Sequence, residues 1–461
     1  MKRIFYIKII ILAILSTFLH ACESFVEIDV PDDKMVTTTV FSSTKTAQSA
    51  MQGIYYQLFN ADFSGGTINS ISVLSGLSAD VLEPINRNNT TLDQFTENEL
   101  FNDNAGILGI WSSSYNTIYL ANNLLEGLQN SDAIPENVSL RLEGQALFIR
   151  AFCHFYLVNL FGDVPLVLTT DYQENALIPR GTSEDIYRQI VVDLERSNEI
   201  LEEDYFDNEK YTINKFAATS LLARVQLYLE NWNEAERLSA EVINSSHYEL
   251  TMLNETFLAN SDEAIWQISP AGRGNILTST SEGYTFIGTS TTRIKLNENF
   301  VSDFKDHDLR LLNWIGEFSN SSNKYSYVYK YKDRSSINNI TEYAMVLRLA
   351  EQFLIRAEAR AQMGNISGAL EDLNTIRQRA GLTNIEESDI NASHTLVDFI
   401  LEERKKELFA EWGHRWLDLN RLNKTNEVLN EKEHWDPMDG LYPIPSVERS
   451  KNPNLTQNPG Y

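Results

Sequence analysis

Two helical hairpins, 134 residues apart, constrain the fold of this chain more than any other feature. Ala223, Leu229, Asn231, Ala235 and Val242 are matched at the same spacing by Ala357, Met363, Asn365, Ala369 and Ile376. In each copy an alanine-bearing helix meets a short polar turn, and a second alanine-bearing helix follows. The turns are Glu230-Asn231-Trp232-Asn233 and Gly364-Asn365-Ile366-Ser367. A two-helix unit of this size cannot bury its apolar face alone, so the copies must stack against further helices. The interval between them holds other material, which predicts an interrupted helical stack and not a pure solenoid.

Apolar residues at three- and four-residue spacing extend the helical pattern over most of the chain. From Ser43 a helix begins with Ala47, Ala50, Met51, Ile54 and Leu58 on one face. Further helices are predicted at about 106–130, 136–160, 183–204, 213–230, 232–246, 345–364, 366–380 and 394–423. The fold class is mainly α, a tetratricopeptide-like scaffold of helical pairs. Residues 61–105 and 259–343 break the pattern, being rich in Ser, Thr, Asn and Gly with interspersed aromatics. They predict a loop-rich subdomain with short strands, and long loops on a rigid scaffold are where binding groups concentrate. Tyr325, Tyr327, Tyr329 and Tyr331 alternate with the period of a strand, which puts four rings on one face.

The amino terminus carries a secretory signal: Lys2, Arg3 and Lys8, then an apolar run of eleven residues from Ile9 to Leu19, then Ala21 before Cys22. The run is too short to span a bilayer, which takes about 20 apolar residues. Leu19-His20-Ala21-Cys22 resembles the lipobox of bacterial lipoproteins, with residues 1–21 as signal peptide and Cys22 as the acylated first residue. Several acyl chains hold a protein on a membrane durably. Residues 22–35, with Glu23, Glu27, Asp29, Asp32 and Asp33 around Pro31, read as an acidic tether, and 36–461 as the folded domain. The formal charge of the whole chain is −26, and loss of the three leader cations takes it to −29. Such a field excludes nucleic acid as a partner. The only cysteines are Cys22 and Cys153, so an acylated chain has no disulfide and depends on its core. Cys153, inside Ala151-Phe152-Cys153-His154-Phe155-Tyr156, reads as a small buried hydrophobe.

Catalytic motifs are missing. The seven histidines, at 20, 154, 247, 307, 394, 414 and 434, form no metalloprotease pair, and Gly272-Arg273-Gly274 lacks the third glycine of a dinucleotide loop. Ser42-Ser43-Thr44-Lys45 has a serine-lysine spacing but overlaps a helix cap. No cofactor or metal is called for. Paired carboxylates of a glycosidase are the enzymatic alternative, with Asp80, Glu83, Asp303, Asp306 and Asp308 in or beside the loop regions. Glu411 with Arg415 and Asp418 with Arg421 have the spacing of helix-surface ion pairs.

Leu401-Glu402-Glu403-Arg404-Lys405-Lys406-Glu407-Leu408, Glu411-Trp412-Gly413-His414-Arg415-Trp416-Leu417-Asp418-Leu419-Asn420-Arg421, Tyr442-Pro443-Ile444-Pro445 and the terminal run from Asn452 to Tyr461 resemble the closing blocks of the SusD/RagB family. The segment from Ala151 through Phe161-Gly162-Asp163-Val164-Pro165 resembles its central helix and turn, and Arg348-Leu349-Ala350 through Gly381-Leu382 a further block. In the turn, glycine takes the left-handed position and proline stops the helix. The Tyr-Pro and Asn-Pro segments force extended chain over a surface already built. Trp111 reads as core. The resemblance implies four tetratricopeptide-like pairs in an outer-membrane surface lipoprotein that captures a nutrient, commonly a glycan. It also implies the role of a lid over a SusC-like TonB-dependent transporter.

A sugar site in such loops sets aromatic faces against pyranose rings and polar side chains against hydroxyls. Trp314, Tyr284, Phe286, Tyr325, Asn86 and Arg87 have the right types in the right regions. An oligopeptide or glycopeptide ligand, a lipid-anchored surface glycosidase and a scaffold that binds only protein are the alternatives.

Overall fold

The long helices begin where a side chain can satisfy an unpaired backbone amide. In the computed structural model, which describes residues 37–270, 278–321 and 323–461, the Ser43 hydroxyl accepts from the Thr46 amide at 3.3 Å and opens α1, Thr44–Asn60. Asn104, Thr182 and Asn214 cap α2 (Ala105–Gln129), α4 (Ser183–Ile200) and α5 (Lys215–Tyr228) in the same way. Between them α3, Glu136–Phe161, is the central helix. All its side chains from Gly144 to Phe161 are buried except Asn159, because α2 and α4 pack along it. It ends at Gly162, φ 72° and ψ −129°, a positive-φ conformation other than the left-handed helical one expected.

The two sequence copies are α5 with α6 (Trp232–Ile243), and α7 (Leu349–Gln362) with α8 (Ile366–Arg379). Although 134 residues apart, they are neighbours in space: α6 packs on both α5 and α7, and α7 on α8. Ala223, Ala235, Ala357 and Ala369 are all fully buried at these contacts. Ion pairs stitch the copies together. Arg224 on α5 meets Glu351 on α7 at 2.6 Å, and Arg360 on α7 reaches Glu236 on α6 at 2.8 Å and Asp372 on α8 at 3.0 Å.

Two predicted helices differ. Residues 344–348 are a strand, and the helix starts only at Leu349, because Ala344–Arg348 pairs antiparallel with Ala264–Ile268 and buries all five residues. The stretch 394–423 is broken into α9, Leu396–Glu407, and α10, His414–Arg421, by positive φ at Ala410, Trp412 and Gly413. The break turns Glu411 inward. It therefore does not pair with Arg415 on a helix surface: Glu411 binds Arg348 at 2.8 Å and Lys330 at 2.5 Å, while Arg415 holds Asp80 at 2.8 Å. Asp418 and Arg421 do pair, at 2.9 Å, but both are buried and Asp418 also holds Arg404.

Among the described residues, three two-stranded antiparallel sheets lie in or beside the loop-rich regions: β1 (Leu82–Pro84) with β3 (Ile294–Leu296), β2 (Ala264–Ile268) with β6 (Ala344–Arg348), and β4 (Ile315–Ser319) with β5 (Lys324–Val328). Residues 61–105 are less irregular than their composition suggests, since they contain the wholly buried helix Ile71–Ser78 and the helix Thr90–Glu97. β5 ends at Val328, so Tyr329 and Tyr331 leave the strand that Tyr325 and Tyr327 share. Tyr331 is buried beside Phe257. The Tyr442-Pro443-Ile444-Pro445 segment is extended but does more than cover a surface. Tyr442 and Ile444 are fully buried, with Tyr442 donating its amide to the Leu160 carbonyl at 2.7 Å and stacking on Trp416. Trp111 is core, and Cys153 is a buried free thiol whose pKa burial pushes up. Among the described residues no helix is long and apolar enough to cross a membrane. The leader, Cys22 and the acidic tether lie outside the described residues.

Candidate functional site

Three chain segments meet to form a cleft on the loop-rich side. The first is the turn after α1, ending in Thr67 and Ile68. The second is the short helix Ser281–Phe286 with the chain that follows it into β3. The third is the segment from Asp333 to Ser335. The Thr280 hydroxyl caps the short helix by accepting from the Gly283 amide at 3.1 Å. A Cβ at Gly283 would lie 2.1 Å from the Asp333 carbonyl oxygen, so glycine allows the two backbones to touch. Thr285 donates to the Gly66 carbonyl at 3.0 Å and ties in the first segment. Behind the wall, Glu342 accepts from the Lys332 and Asp333 amides at 2.6 and 3.1 Å and holds the third.

The cleft so formed has a volume of about 670 Å³ and is lined by Thr67, Ile68, Ser279, Ser281, Tyr284, Thr285, Thr291, Arg293, Ile294, Arg334 and Ser335. Tyr284 projects into it with 62 % of its surface exposed, and the Arg334 guanidinium lies 4.4 Å from the ring centroid. Thr291 and Arg293 also line a neighbouring pocket of about 400 Å³ that Asn86, Asn88, Asn89 and Ser290 among others complete. Pairing of β1 with β3 places this pocket, because the Ile85 amide donates to the Arg293 carbonyl at 2.8 Å and sets Asn86 beside it. The lining is made of hydroxyls, amides, two guanidiniums, one exposed ring and the apolar side chains of Ile68, Ile294 and Leu92. Beneath it Glu282 and Glu342 are buried, and burial, reinforced at Glu282 by the nearby Glu342, pushes both carboxyls up to about 7.

Comparison with known proteins places this architecture. A family model described as starch-binding associating with outer membrane matches residues 28–227, and the SusD family model matches residues 316–461. The chain belongs to the SusD/RagB family. A SusD-like protein of Formosa agariphila is 26 % identical over 98 % of each chain. The starch-binding protein SusD of Bacteroides thetaiotaomicron is 23 % identical over 72 % of this chain and 75 % of its own. A solved structure of a laminarin-binding SusD-like protein superposes with a TM-score of 0.79 at 22 % identity, covering 91 % of this chain and 100 % of its own.

In this SusD/RagB protein, Tyr284 and Asn86 are brought to two neighbouring pockets that share Thr291 and Arg293 as lining. The other candidates lie elsewhere. Trp314 is completely buried, its indole N–H donating to the Leu253 carbonyl at 2.8 Å and its ring packed on Phe257 with Lys330 4.7 Å from the centroid. Phe286 is core on the inner side of the short helix. Tyr325 is buried against Phe318 with its hydroxyl donating to the Thr289 carbonyl at 2.7 Å. Arg87 is exposed but bound to Glu97, and it faces a separate pocket of about 350 Å³ that Asp80, Glu83 and Lys405 share. Arg293 and Arg334 are the residues that sequence reasoning missed. Their signal is an arginine within a loop with no acid at the three- or four-residue spacing that neutralises one on a helix.

The candidate acids for hydrolysis are mostly bound to cations. Burial works to raise the Asp80 pKa, but Arg415 and Lys405 override it and hold the carboxyl below the usual range. Asp303 binds Lys405 at 2.9 Å, Glu83 lies 3.7 Å from Lys295, and Asp308 binds Arg310 at 2.8 Å. No aspartate or glutamate lines the cleft among the described residues.

Proposed function

We propose that this protein is a non-catalytic glycan receptor that collects an oligosaccharide at the cell surface for a SusC-like TonB-dependent transporter. The observation that carries the reading is the exposed Tyr284 ring inside a cleft of about 670 Å³ whose other walls combine hydroxyls and guanidiniums with the apolar side chains of Ile68 and Ile294. A ring of this kind takes the apolar face of a sugar, and the hydroxyls, amides and guanidiniums meet its polar edge. The starch-binding and laminarin-binding relatives support a glycan as ligand. A chain acylated at Cys22 sits on the outer membrane facing outward, with the acidic segment 22–35 as tether, and holds its ligand beneath a lid closed over the barrel.

Gel retardation of the purified protein against a polysaccharide panel tests the reading. The expected result is retarded migration with intact polymer, abolished by Tyr284→Ala without a change in melting temperature. Release of shortened products would instead make the protein a hydrolase, and retardation by no polymer would leave an oligopeptide ligand or a protein-only scaffold. Cys22→Ser should move the folded protein from the membrane fraction to the soluble one, and a membrane-bound variant refutes the anchor. Cross-linking in native membranes should recover a large plug-bearing barrel.

A further inference from the structure

We infer that the cleft takes an acidic oligosaccharide, one bearing sulfate or uronate groups, and that Arg293 and Arg334 clamp its anionic substituents. The inference rests on the glycan-binding reading and narrows its ligand class.

The first observation is a contrast of charge. The chain carries 64 Asp and Glu against 38 Lys and Arg, yet the cleft lining holds two guanidiniums and no carboxylate among the described residues. The second is how arginine is used elsewhere. Arg150, Arg224, Arg310, Arg348, Arg404 and Arg421 all hold buried carboxylates. Arg293 is exposed and makes no ion pair among the described residues. Among the described residues Arg334 has the Tyr284 ring as its cation partner and no ion pair, and its Nε atom is buried without a hydrogen-bond acceptor there.

The nearest acid in the chain, Asp333, does not neutralise Arg334. Its carboxylate accepts from the Ser335 amide at 3.0 Å and from the Thr341 hydroxyl at 3.4 Å. Glu282 and Glu342 stand behind the wall with carboxyls pushed up to about 7 by burial, which reduces the negative charge beneath the cleft near neutral pH. A neutral sugar needs hydroxyl partners and a ring; it does not need two unneutralised guanidiniums. A planar guanidinium matches sulfate and carboxylate with two parallel hydrogen bonds. An acidic protein repels an acidic polymer at distances within the screening length, about 8 Å at physiological salt, so capture requires a local cationic contact of this kind.

The full-length protein, purified in detergent, is titrated with alginate oligosaccharides, carrageenan oligosaccharides, chemically desulfated carrageenan and laminarin. Expected are binding of alginate or carrageenan at least tenfold tighter than of the neutral polymers, and a steep decline with added salt. Arg293→Gln and Arg334→Gln should each weaken the acidic ligand at least tenfold at unchanged melting temperature, and Arg334→Lys should recover part of the loss. Preference for alginate assigns the clamp to carboxylate, and loss on desulfation assigns it to sulfate. Binding of laminarin or desulfated carrageenan alone, indifferent to both arginine changes, overturns the acidic inference and leaves the glycan reading standing. Binding of none of the four overturns both.

Discussion

At the scale of single residues, the hairpin copies agree in backbone as well as in sequence. Asn231 and Asn365 have φ −82° in both turns, with ψ of 68° and 72°. The residue before each is left-handed, Glu230 at φ 59° and Gly364 at φ 79°. A side chain in that region costs roughly 1–2 kcal/mol, which glycine avoids. Nothing lies within 4 Å of a Cβ built on Gly364, so the penalty there is one of backbone conformation alone. Gly364→Ala should lower stability by about 1 kcal/mol in urea unfolding with no change in slope, and Glu230→Gly should raise it by up to about 1 kcal/mol. Equal midpoints for Gly364→Ala and the parent chain would contradict the left-handed turn. The alanine and turn positions were legible in the sequence because a close helix crossing tolerates only small side chains. The fate of each aromatic was not, since a buried Trp314 and an exposed Tyr284 have the same composition around them.

At the scale of elements, a buried ionic cluster joins the loop-rich region to the helices. Arg348, at the junction of β6 and α7, binds Glu263 at 2.9 Å, Glu407 at 2.6 Å and Glu411 at 2.8 Å. Arg310 joins Asp308, Glu403 and Glu407, and Arg379 joins Glu263 and Glu407. Burial works to raise the pKa of Glu407, but Arg379, Arg348 and Arg310 outweigh it and hold the carboxyl well below its ordinary value. Lys330 is depressed to about 8 by burial despite its contact with Glu411. Removing one member leaves buried charge without a partner, which costs on the order of 3–5 kcal/mol. Arg348→Met should therefore lower the thermal midpoint by many degrees, and a shift of only a degree or two in calorimetry would contradict its role as the hub. This cluster explains why the helix predicted at 394–423 breaks: a continuous helix would leave Glu411 on a surface, whereas the turn delivers it to Arg348. The amphipathic period of helices such as α1, α4, α6 and α8 was readable because each meets its neighbours along one stripe. The break was not, since its cause lies on β6 and in the chain at Lys330.

At the scale of the whole molecule, the helical stack is a frame that holds two strand ends and three loop segments around one cleft. Trp314, expected to be a ligand platform, belongs to the frame: Trp314→Ala should cost about 3–5 kcal/mol in chemical denaturation, the range for emptying a large aromatic from a core. Unchanged stability with weakened capture would return that ring to the binding surface. The sequence by itself determined the helical class, the paired hairpins and the regions from which the cleft is drawn, because periodicity, small residues at crossings and glycine-proline stops are local properties of the chain; the family came from the resemblance of its closing blocks. Only the tertiary structure decided which polar and aromatic groups face solvent. Burial and the neutralisation of charge depend on partners that arrive from distant segments, as Asp80 does for Arg415 and Glu407 for Arg348. At the cleft, Arg293 and Arg334 make no ion pair with an acid among the described residues.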